Sequence, residues 1–227
     1  MSETGHRGRS GRHTPLPAMT IGDYLAAVAA RGPRPEPDGG AGGPRLTYAE
    51  LALDVERVAC GLLALGIEKG DRIVIWAQHS TAWTLLELAA ARAGAVLVIL
   101  DGEWSTDQLH AVLRETGPRL LAAGGCERLA SLGPARGELA GIGPLVELDG
   151  QRCGGRADLT WAELLVAGAA IDPARLAERE AVLDPDDPAS IEYDQLAGGE
   201  LQATTVSHRD HLGGNAFGVV AEKEQDR

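Results

Sequence analysis

Lysine is nearly absent from this 227-residue chain, which carries only Lys69 and Lys223 against a formal net charge of −12. Arginine supplies the other cations, and it forms no basic stripe along the sequence. Proteins that bind nucleic acid or an anionic membrane surface normally present a basic face. The composition therefore disfavours both classes of partner, and the acidity is typical of a soluble surface.

Cysteine is also scarce, with Cys60, Cys126 and Cys153 far apart and no Cys-x-x-Cys pair. This spacing predicts neither a zinc site nor a disulfide framework, so we expect three reduced thiols in a cytoplasmic protein. Residues 1–12 are polar and lack the apolar stretch of a signal peptide. No apolar run reaches the ~18 residues that a membrane span needs.

Segments with a helical pattern of apolar residues alternate along the chain with segments of a strand pattern. Capping boxes, in which a hydroxyl residue precedes Gln or Glu by three positions, begin at Thr47, Ser105 and Thr160. Apolar runs of strand length predict strands at 73–77, 95–100, 119–122, 144–148 and 189–193, with a last one near 204–206. Strands that alternate with helices predict an α/β fold, a mostly parallel sheet with helices on both faces.

The composition also divides the chain. We expect a disordered tail over residues 1–17, an α/β subdomain over 18–183, and a loop region with a final helix over 184–227. The Gly- and Pro-rich segment 32–45 is predicted to be a flexible loop. The acidic connector 184–188 contains two prolines, which predict an extended, solvated segment.

Two motifs carry a family resemblance. Residues 46–51 read Leu-Thr-Tyr-Ala-Glu-Leu, and residues 61–73 read Gly-Leu-Leu-Ala-Leu-Gly-Ile-Glu-Lys-Gly-Asp-Arg-Ile. Both resemble the opening of the adenylate-forming (AMP-binding) enzymes, which include the acyl-CoA synthetases and adenylation domains. Trp83 and the run at 107–109 are most similar to the long-chain acyl-CoA synthetase branch. The resemblance implies the N-terminal subdomain of that fold, and in an intact member it implies ATP and Mg²⁺.

The family's phosphate loop reads Tyr-Thr-Ser-Gly-Thr-Thr-Gly-x-Pro-Lys-Gly, and here it aligns from Tyr193 without a gap. The positions that depart from it are Asp194, Gln195, Leu196, Ala197, Gly198, Leu201, Gln202 and Ala203, whereas Gly199 matches. Such loops hold phosphate with backbone N–H groups, hydroxyl donors and a lysine. Four hydroxyl donors and the cation are missing here, so the resemblance implies a degenerate loop that does not bind ATP.

The replacement at Asp194 is adverse because it adds an anion where phosphate would lie. At ~4 Å and an effective dielectric constant of ~20, two like charges repel by about 4 kcal/mol. Leu196 stands at a glycine position and resists the positive φ that glycine accepts. We therefore expect no catalytic residue and no bound cofactor in this chain.

Other polar groups favour ordinary structural roles. His208 and His211 are three residues apart, yet a zinc site needs a third ligand, so no metal site is expected. Ser80, next to His79, is interpreted as a helix cap rather than a nucleophile. Asp184, with two further aspartates in the acidic connector, is interpreted as part of a solvated turn rather than a Mg²⁺ site.

Three functional interpretations follow. The first is a truncated, non-catalytic acyl-CoA synthetase-like protein that acts through protein–protein interaction. An apolar face left uncovered would bind a second copy, a full-length synthetase or an acyl-chain biosynthetic enzyme. The alternative is ATP-dependent adenylation of a carboxylic (fatty) acid, an acid–thiol ligase activity completed by a separate chain. The third is a decayed gene product without a role.

Overall fold

A computed structural model describes residues 18–32, 46–100, 103–138, 141–150, 157–195 and 200–213, so the predicted tail over 1–17 lies outside the described residues. The helices are α1 Ile21–Ala29, α2 Tyr48–Ala64, α3 Thr81–Ala93, α4 Thr106–Thr116, α5 Cys126–Glu138, α6 Trp161–Gly168, α7 Pro173–Glu180 and α8 His208–Gly213. The strands are β1 Arg72–Trp76, β2 Val96–Ile99, β3 Leu120–Ala123, β4 Leu145–Glu147, β5 Leu159–Thr160, β6 Pro188–Gln195 and β7 Leu201–Ser207.

The seven strands form one sheet in the order β5-β4-β3-β1-β2-β6-β7. Every pairing is parallel except that of β6 with β7, which is antiparallel. The predicted α/β class with a mostly parallel sheet is thus confirmed. Since β6 pairs with β2, the hairpin of β6 and β7 extends the same sheet rather than standing apart from it.

Alternate strand residues face two separate cores, as the period of two in a strand requires. Ile73 and Ile75 of β1 face a first core built largely from α2, α3 and α6. Val74 and Trp76 face a second core, which α4 and α5 cover. Both faces of the sheet are therefore buried, which explains why its strands read as continuous apolar runs.

The three predicted capping boxes are confirmed at the starts of α2, α4 and α6. A fourth box at the start of α1 was not predicted, in which Thr20 Oγ1 accepts from the backbone N–H of Asp23 at 3.1 Å. Gly66 follows α2 with φ 77°, the left-handed conformation expected of it. Helices α5 and α7 and the short strand β5 were also not predicted.

The acidic connector forms a turn, as interpreted for Asp184, and does not run extended, as its prolines predicted. The backbone N–H of Asp187 donates to the carbonyl of Asp184 at 2.9 Å, closing a turn. The carboxylate of Asp187 is bonded to Lys69 Nζ at 2.7 Å, so it is not merely solvated. Asp186 pairs with Arg209 at 2.9 Å. These partners lie far away in sequence, and local pattern does not reveal them.

The cysteines also depart from expectation. Cys60 is a free, buried thiol, as predicted, and burial raises its pKa. Cys126, at the start of α5, is disulfide-bonded. The expectation of three reduced thiols was wrong for Cys126, because spacing along the chain does not report which thiols meet in space.

Helices α2 and α6 approach so closely that only glycine fits between them. A Cβ added at Gly168 would lie 2.4 Å from the carbonyl oxygen of Arg57 and 2.6 Å from the backbone nitrogen of Gly61. Gly168→Ala is therefore expected to lower the free energy of unfolding by about 1–3 kcal/mol, measured by urea denaturation. Val166→Ala, at a position of the same helix that is 72% exposed, is the control. Its effect should stay within about 0.5 kcal/mol, and equal losses in both variants would contradict the close-approach argument.

Candidate functional site

The degenerate loop connects the two strands of the β6–β7 hairpin. Asp194 pairs with Gln202 in the ladder, and the last pair joins Gln195 to Leu201. Leu196, Ala197, Gly198 and Gly199 lie outside the described residues. The described part of the loop region is therefore its two strand ends, which place Asp194 and Gln202 directly opposite each other.

The side chains of Asp194 and Gln202 are both exposed. Directly opposed residues of an antiparallel pair share one face of the sheet, so the Asp194 carboxylate and the Gln202 amide project together. Exposure moves the effective dielectric constant toward that of water, where like charges ~4 Å apart repel by about 1 kcal/mol. The repulsion of an anion at Asp194 is therefore weaker than the sequence argument assumed, about fivefold in affinity.

Tyr193, the residue that aligns with the family's first loop position, serves as an anchor in the core. Its side chain is buried and meets Trp104 edge-on, with ring centroids 6.3 Å apart and planes at 83°. Burial, with the charge and hydrogen bond of Glu115, raises the pKa of Tyr193 to about 12. The hydroxyl thus stays protonated and does not supply an acid or base to the loop.

The histidines of α8 are buried rather than directed at a ligand. His208 Nδ1 accepts a hydrogen bond from the backbone N–H of Ile21 at 3.4 Å, which ties α8 to the start of α1. His211 Nε2 lies 2.7 Å from the buried hydroxyl of Ser190. Burial lowers the pKa of both imidazoles, that of His208 to about 4. Among the described residues, no group of three His, Cys, Asp or Glu side chains is placed to hold a metal ion.

Ser80 occupies the structural role predicted for it. Ser80 Oγ accepts from the backbone N–H of Trp83 at 3.2 Å and so caps α3. The His79 ring stacks on the Trp83 ring, with centroids 4.1 Å apart. This arrangement holds the imidazole against the indole and confirms the interpretation of Ser80 as a cap.

The side chains gathered at the carboxyl ends of β1 and β3 were missed by sequence reasoning. The chain leaves β1 toward β2 on one side and returns past it to β3 on the other, so this is a topological switch point. Arg128 of α5 lies 5.7 Å over the Trp76 ring and donates to the carbonyl of Gly124 at 3.4 Å. A Cβ at Gly124 would lie 2.9 Å from the Asp149 carboxylate. The pair Gly124-Gly125 after a strand was the available signal.

A pair of interacting carboxyl groups was missed as well. Glu87 is partly buried on α3, and burial first and the charge of Glu192 second raise the pKa of Glu87 to about 8. The neighbours of Glu87 in α3 include Leu85, Leu86 and Leu88, all buried. A single carboxyl in a helix that is otherwise apolar nearly all round was the signal in the sequence.

No helix in the described ranges is both long and apolar enough to cross a membrane.

The profile of a protein family described as "AMP-binding enzyme" matches residues 25–193. An acyl-CoA ligase, sidI of Aspergillus fumigatus, is 32% identical over 185 residues, which are 77% of this chain and 31% of that protein. The human medium-chain acyl-CoA ligase ACSF2, named as mitochondrial, is 37% identical over 112 residues, or 47% of this chain and 17% of that one. The chain spans about a third or less of the length of these curated relatives.

Solved structures show the same fold. A long-chain-fatty-acid CoA ligase of Rhodopseudomonas palustris superposes with a TM-score of 0.66 at 24% identity, covering 85% of this chain and 45% of that one. The corresponding enzyme of Archaeoglobus fulgidus superposes with a TM-score of 0.67 at 17% identity, covering 85% and 37%. At these identities, the likeness shows the N-terminal α/β architecture and nothing finer.

Proposed function

Because the chain belongs to the family of AMP-binding enzymes, we propose that it is an acyl-CoA ligase-like protein without a competent ATP site, which acts by binding another protein. The observation that carries this proposal is the pair Asp194 and Gln202, opposed on the hairpin. They stand where the resemblance implies a hydroxyl and a lysine. An anion and a neutral amide therefore replace the donor and the cation that would face phosphate.

The contacts of Lys69, the lysine within the described residues, support the proposal. Lys69 lies in the turn before β1, where its ammonium bonds to Asp187 at 2.7 Å and donates to the carbonyl of Val182 at 2.9 Å. Both partners lie between α7 and β6, away from the loop. A lysine held in this way does not replace the missing cation at Gln202.

Calorimetric titration with ATP and Mg²⁺ tests the proposal directly. We expect no binding at millimolar nucleotide, and no exchange of pyrophosphate into ATP with a panel of fatty and aryl acids. The matched control is a full-length acyl-CoA ligase assayed in the same buffers. Robust exchange by this chain alone would overturn the non-catalytic assignment.

One observation favours a second candidate function. The chain spans 31% of the length of sidI, which is named as an acyl-CoA ligase, and in this candidate a separate polypeptide supplies the remaining part of such an enzyme. In that case the two chains together would adenylate a carboxylic acid, with ATP and Mg²⁺ as cofactors. Pyrophosphate exchange that depends on adding the second chain would support this candidate over the first.

Restoring the two critical side chains should restore part of the anion affinity. In the double variant Asp194→Thr and Gln202→Lys, one negative charge is removed and one positive charge is added on the same face of the hairpin. We expect inorganic tripolyphosphate to bind at least tenfold more tightly than to the unaltered chain, since two exposed charge changes contribute about 1 kcal/mol each. Calorimetry at low salt measures the change.

The control for this prediction carries the same change of net charge elsewhere. Glu178→Lys alters an exposed position on α7 and shifts the charge by the same two units. If this variant gains as much affinity for tripolyphosphate, then net charge rather than the hairpin geometry explains the effect, and the assignment of the loop positions is wrong.

The fatty-acid class and the cytoplasmic location are part of the proposal. Relatives named as an acyl-CoA ligase and as a medium-chain acyl-CoA ligase support an acyl substrate class for the ancestral activity. A full-length synthetase or an acyl-chain biosynthetic enzyme is accordingly the proposed partner. Cell fractionation with an antibody to the chain tests the location, and recovery from mitochondria would overturn it.

A further inference from the structure

We propose that the open edge of β7, beside the acidic pair Glu192 and Asp194, binds an extended basic segment of a partner protein as an additional strand. This inference rests on the proposed interaction role and names the surface that performs it.

The two edges of the sheet differ. At one end β5 has only two residues, which is too short to recruit a strand. At the other end β7 has seven residues, and among the described strands it pairs only with β6. Gln202, Ala203, Thr204 and Thr205 are exposed, and β7 contains neither a charged residue nor a proline. Protein edges are normally protected by lysine, proline or a bulge, so β7 is an unguarded template for pairing.

One face of this edge is acidic. Glu192 and Asp194 alternate on β6 and lie directly opposite Thr204 and Gln202 of β7. These residues share the face of the first core, because Glu192 interacts with Glu87 of α3. Neighbouring strands are ~4.8 Å apart, so a strand added beyond β7 lies ~10 Å from β6. A long arginine or lysine side chain spans that distance and reaches the carboxylates.

The charges select the occupant. A second copy of this chain has a net charge of −12 and would present a strand without cations, so its pairing gains no ion pair and adds like-charge repulsion. Nucleic acid is repelled for the same reason. A strand with cations at alternate positions places each one on the acidic face. The intervening side chains then lie on the opposite face, beside Leu201, which packs against the second core.

The opposite face favours small or β-branched apolar residues in the occupant. Ala203 is exposed there and lies opposite the buried Tyr193. Valine or threonine at these positions would pack on Ala203 and Leu201 in the manner of cross-strand pairs. The recognised segment thus alternates Arg or Lys with β-branched residues, and main-chain hydrogen bonds to β7 provide the remaining affinity.

Synthetic heptapeptides test the proposal with the complete 227-residue chain. An N-acetylated, C-amidated peptide that alternates valine and arginine is expected to bind, and a valine–glutamate peptide is expected to bind at least tenfold more weakly. The same basic peptide, methylated on every backbone nitrogen, keeps its charge but has no backbone N–H groups to donate to β7. Its affinity should therefore also be at least tenfold lower. Amide hydrogen exchange at residues 202–205 should slow with the unmethylated basic peptide and not with the other two peptides.

Charge variants test the acidic face. The double variant Glu192→Gln and Asp194→Asn should bind the basic peptide about 3- to 10-fold more weakly, as expected for the loss of two exposed ion pairs. The matched control, Asp107→Asn with Glu178→Gln, removes two exposed charges on α4 and α7 and should leave binding within twofold. Binding should also release protons, because a cation beside Glu192 weakens the field that helps to keep Glu87 protonated. Glu87→Gln should bind without that release.

Three outcomes would overturn the proposal. Equal binding of the N-methylated peptide would show that the edge is not used. Equal losses in the charge variant and its control would show that the acidic face does not select the occupant. Concentration-dependent self-association that protects β7 without peptide would make a second copy the occupant. ATP binding in the earlier titration would overturn the non-catalytic assignment, whereas these measurements are independent of ATP.

Discussion

Acidification from pH 6.5 to pH 4 is expected to cost the native state about 3 kcal/mol through His208 alone. The imidazole is fully buried, and its Nδ1 accepts from the backbone N–H of Ile21, so the folded protein holds it neutral. Its Nε2 has no hydrogen-bond partner among the described residues. Burial is the largest cause that lowers the pKa of His208 to about 4, from 6.5 for the unperturbed group.

The sign follows from proton counting. Between pH 6.5 and 4 the unfolded chain binds a proton at His208 and the folded chain does not, so the free energy of unfolding falls as pH falls. A pKa lowered from 6.5 to about 4 corresponds to about 3 kcal/mol. The charges that modulate it are Asp187 and Asp23, which favour the cation, and His211 and Lys69, which oppose it. His211, also buried with a lowered pKa, adds to the loss in the same direction.

His208→Asn isolates this contribution. The asparagine Oδ1 can accept from Ile21 as Nδ1 does, but the side chain does not titrate, and its smaller volume leaves a cavity that lowers stability at pH 7. Urea denaturation of both proteins at several pH values gives the difference in their free energies of unfolding. That difference should move by about 3 kcal/mol in favour of the variant from pH 7 to pH 4.

The control is His79→Asn, at an exposed position where the ring stacks on Trp83. Its stability should follow the unaltered protein within about 0.5 kcal/mol across the same range. Parallel curves for His208→Asn and the unaltered protein would show that His208 is not held neutral. The interpretation of α8 as a helix fixed by buried imidazoles would then be wrong.

Local sequence signals specified much of the fold. The capping boxes at Thr47, Ser105 and Thr160 marked three helix starts because cap and backbone lie within one turn of each other. Apolar runs marked the central strands because both faces of a parallel sheet are covered. Helix α5 was missed since it contains a Gly-Pro pair, and the short, polar α7 was missed since only Leu176 is buried in it.

The candidate site was less accessible to sequence reasoning, for a physical reason. The loop could be placed by its family register, because the positions are consecutive in sequence. The acidic face beside the edge of β7 could not be placed from the sequence, since it depends on residues that meet only through the sheet. Glu87 and Glu192 are far apart in sequence and belong to different elements. Likewise, the apolar face expected to seek a partner is not found in the described residues, where the exposed large apolar side chains are Leu53, Val166 and Val182, on separate segments.

Glu87 is expected to destabilise the protein as the solution becomes alkaline. Its carboxyl is partly buried on α3, and its pKa is raised to about 8 by burial and by Glu192, from 4.5 for the unperturbed group. Between these values the folded protein holds a proton that the unfolded chain has released, so the free energy of unfolding falls as pH rises. The loss amounts to about 3 kcal/mol between pH 6 and pH 9.

Glu87→Gln removes this dependence while preserving the size of the side chain. The difference in free energy of unfolding between the variant and the unaltered protein should grow by about 3 kcal/mol from pH 6 to pH 9 and level off above pH 9. Glu192→Gln should reduce the slope only in part, because burial is the larger cause. Glu178→Gln, exposed on α7, is the control and should show no such divergence. Between about pH 4.5 and pH 6.5 the contributions of His208 and Glu87 have opposite signs and nearly cancel, whereas above pH 6.5 the contribution of Glu87 dominates. The stability of the unaltered chain should therefore fall from pH 6.5 to pH 9, and a stability curve that keeps rising to pH 9 would refute the assignment of a protonated Glu87.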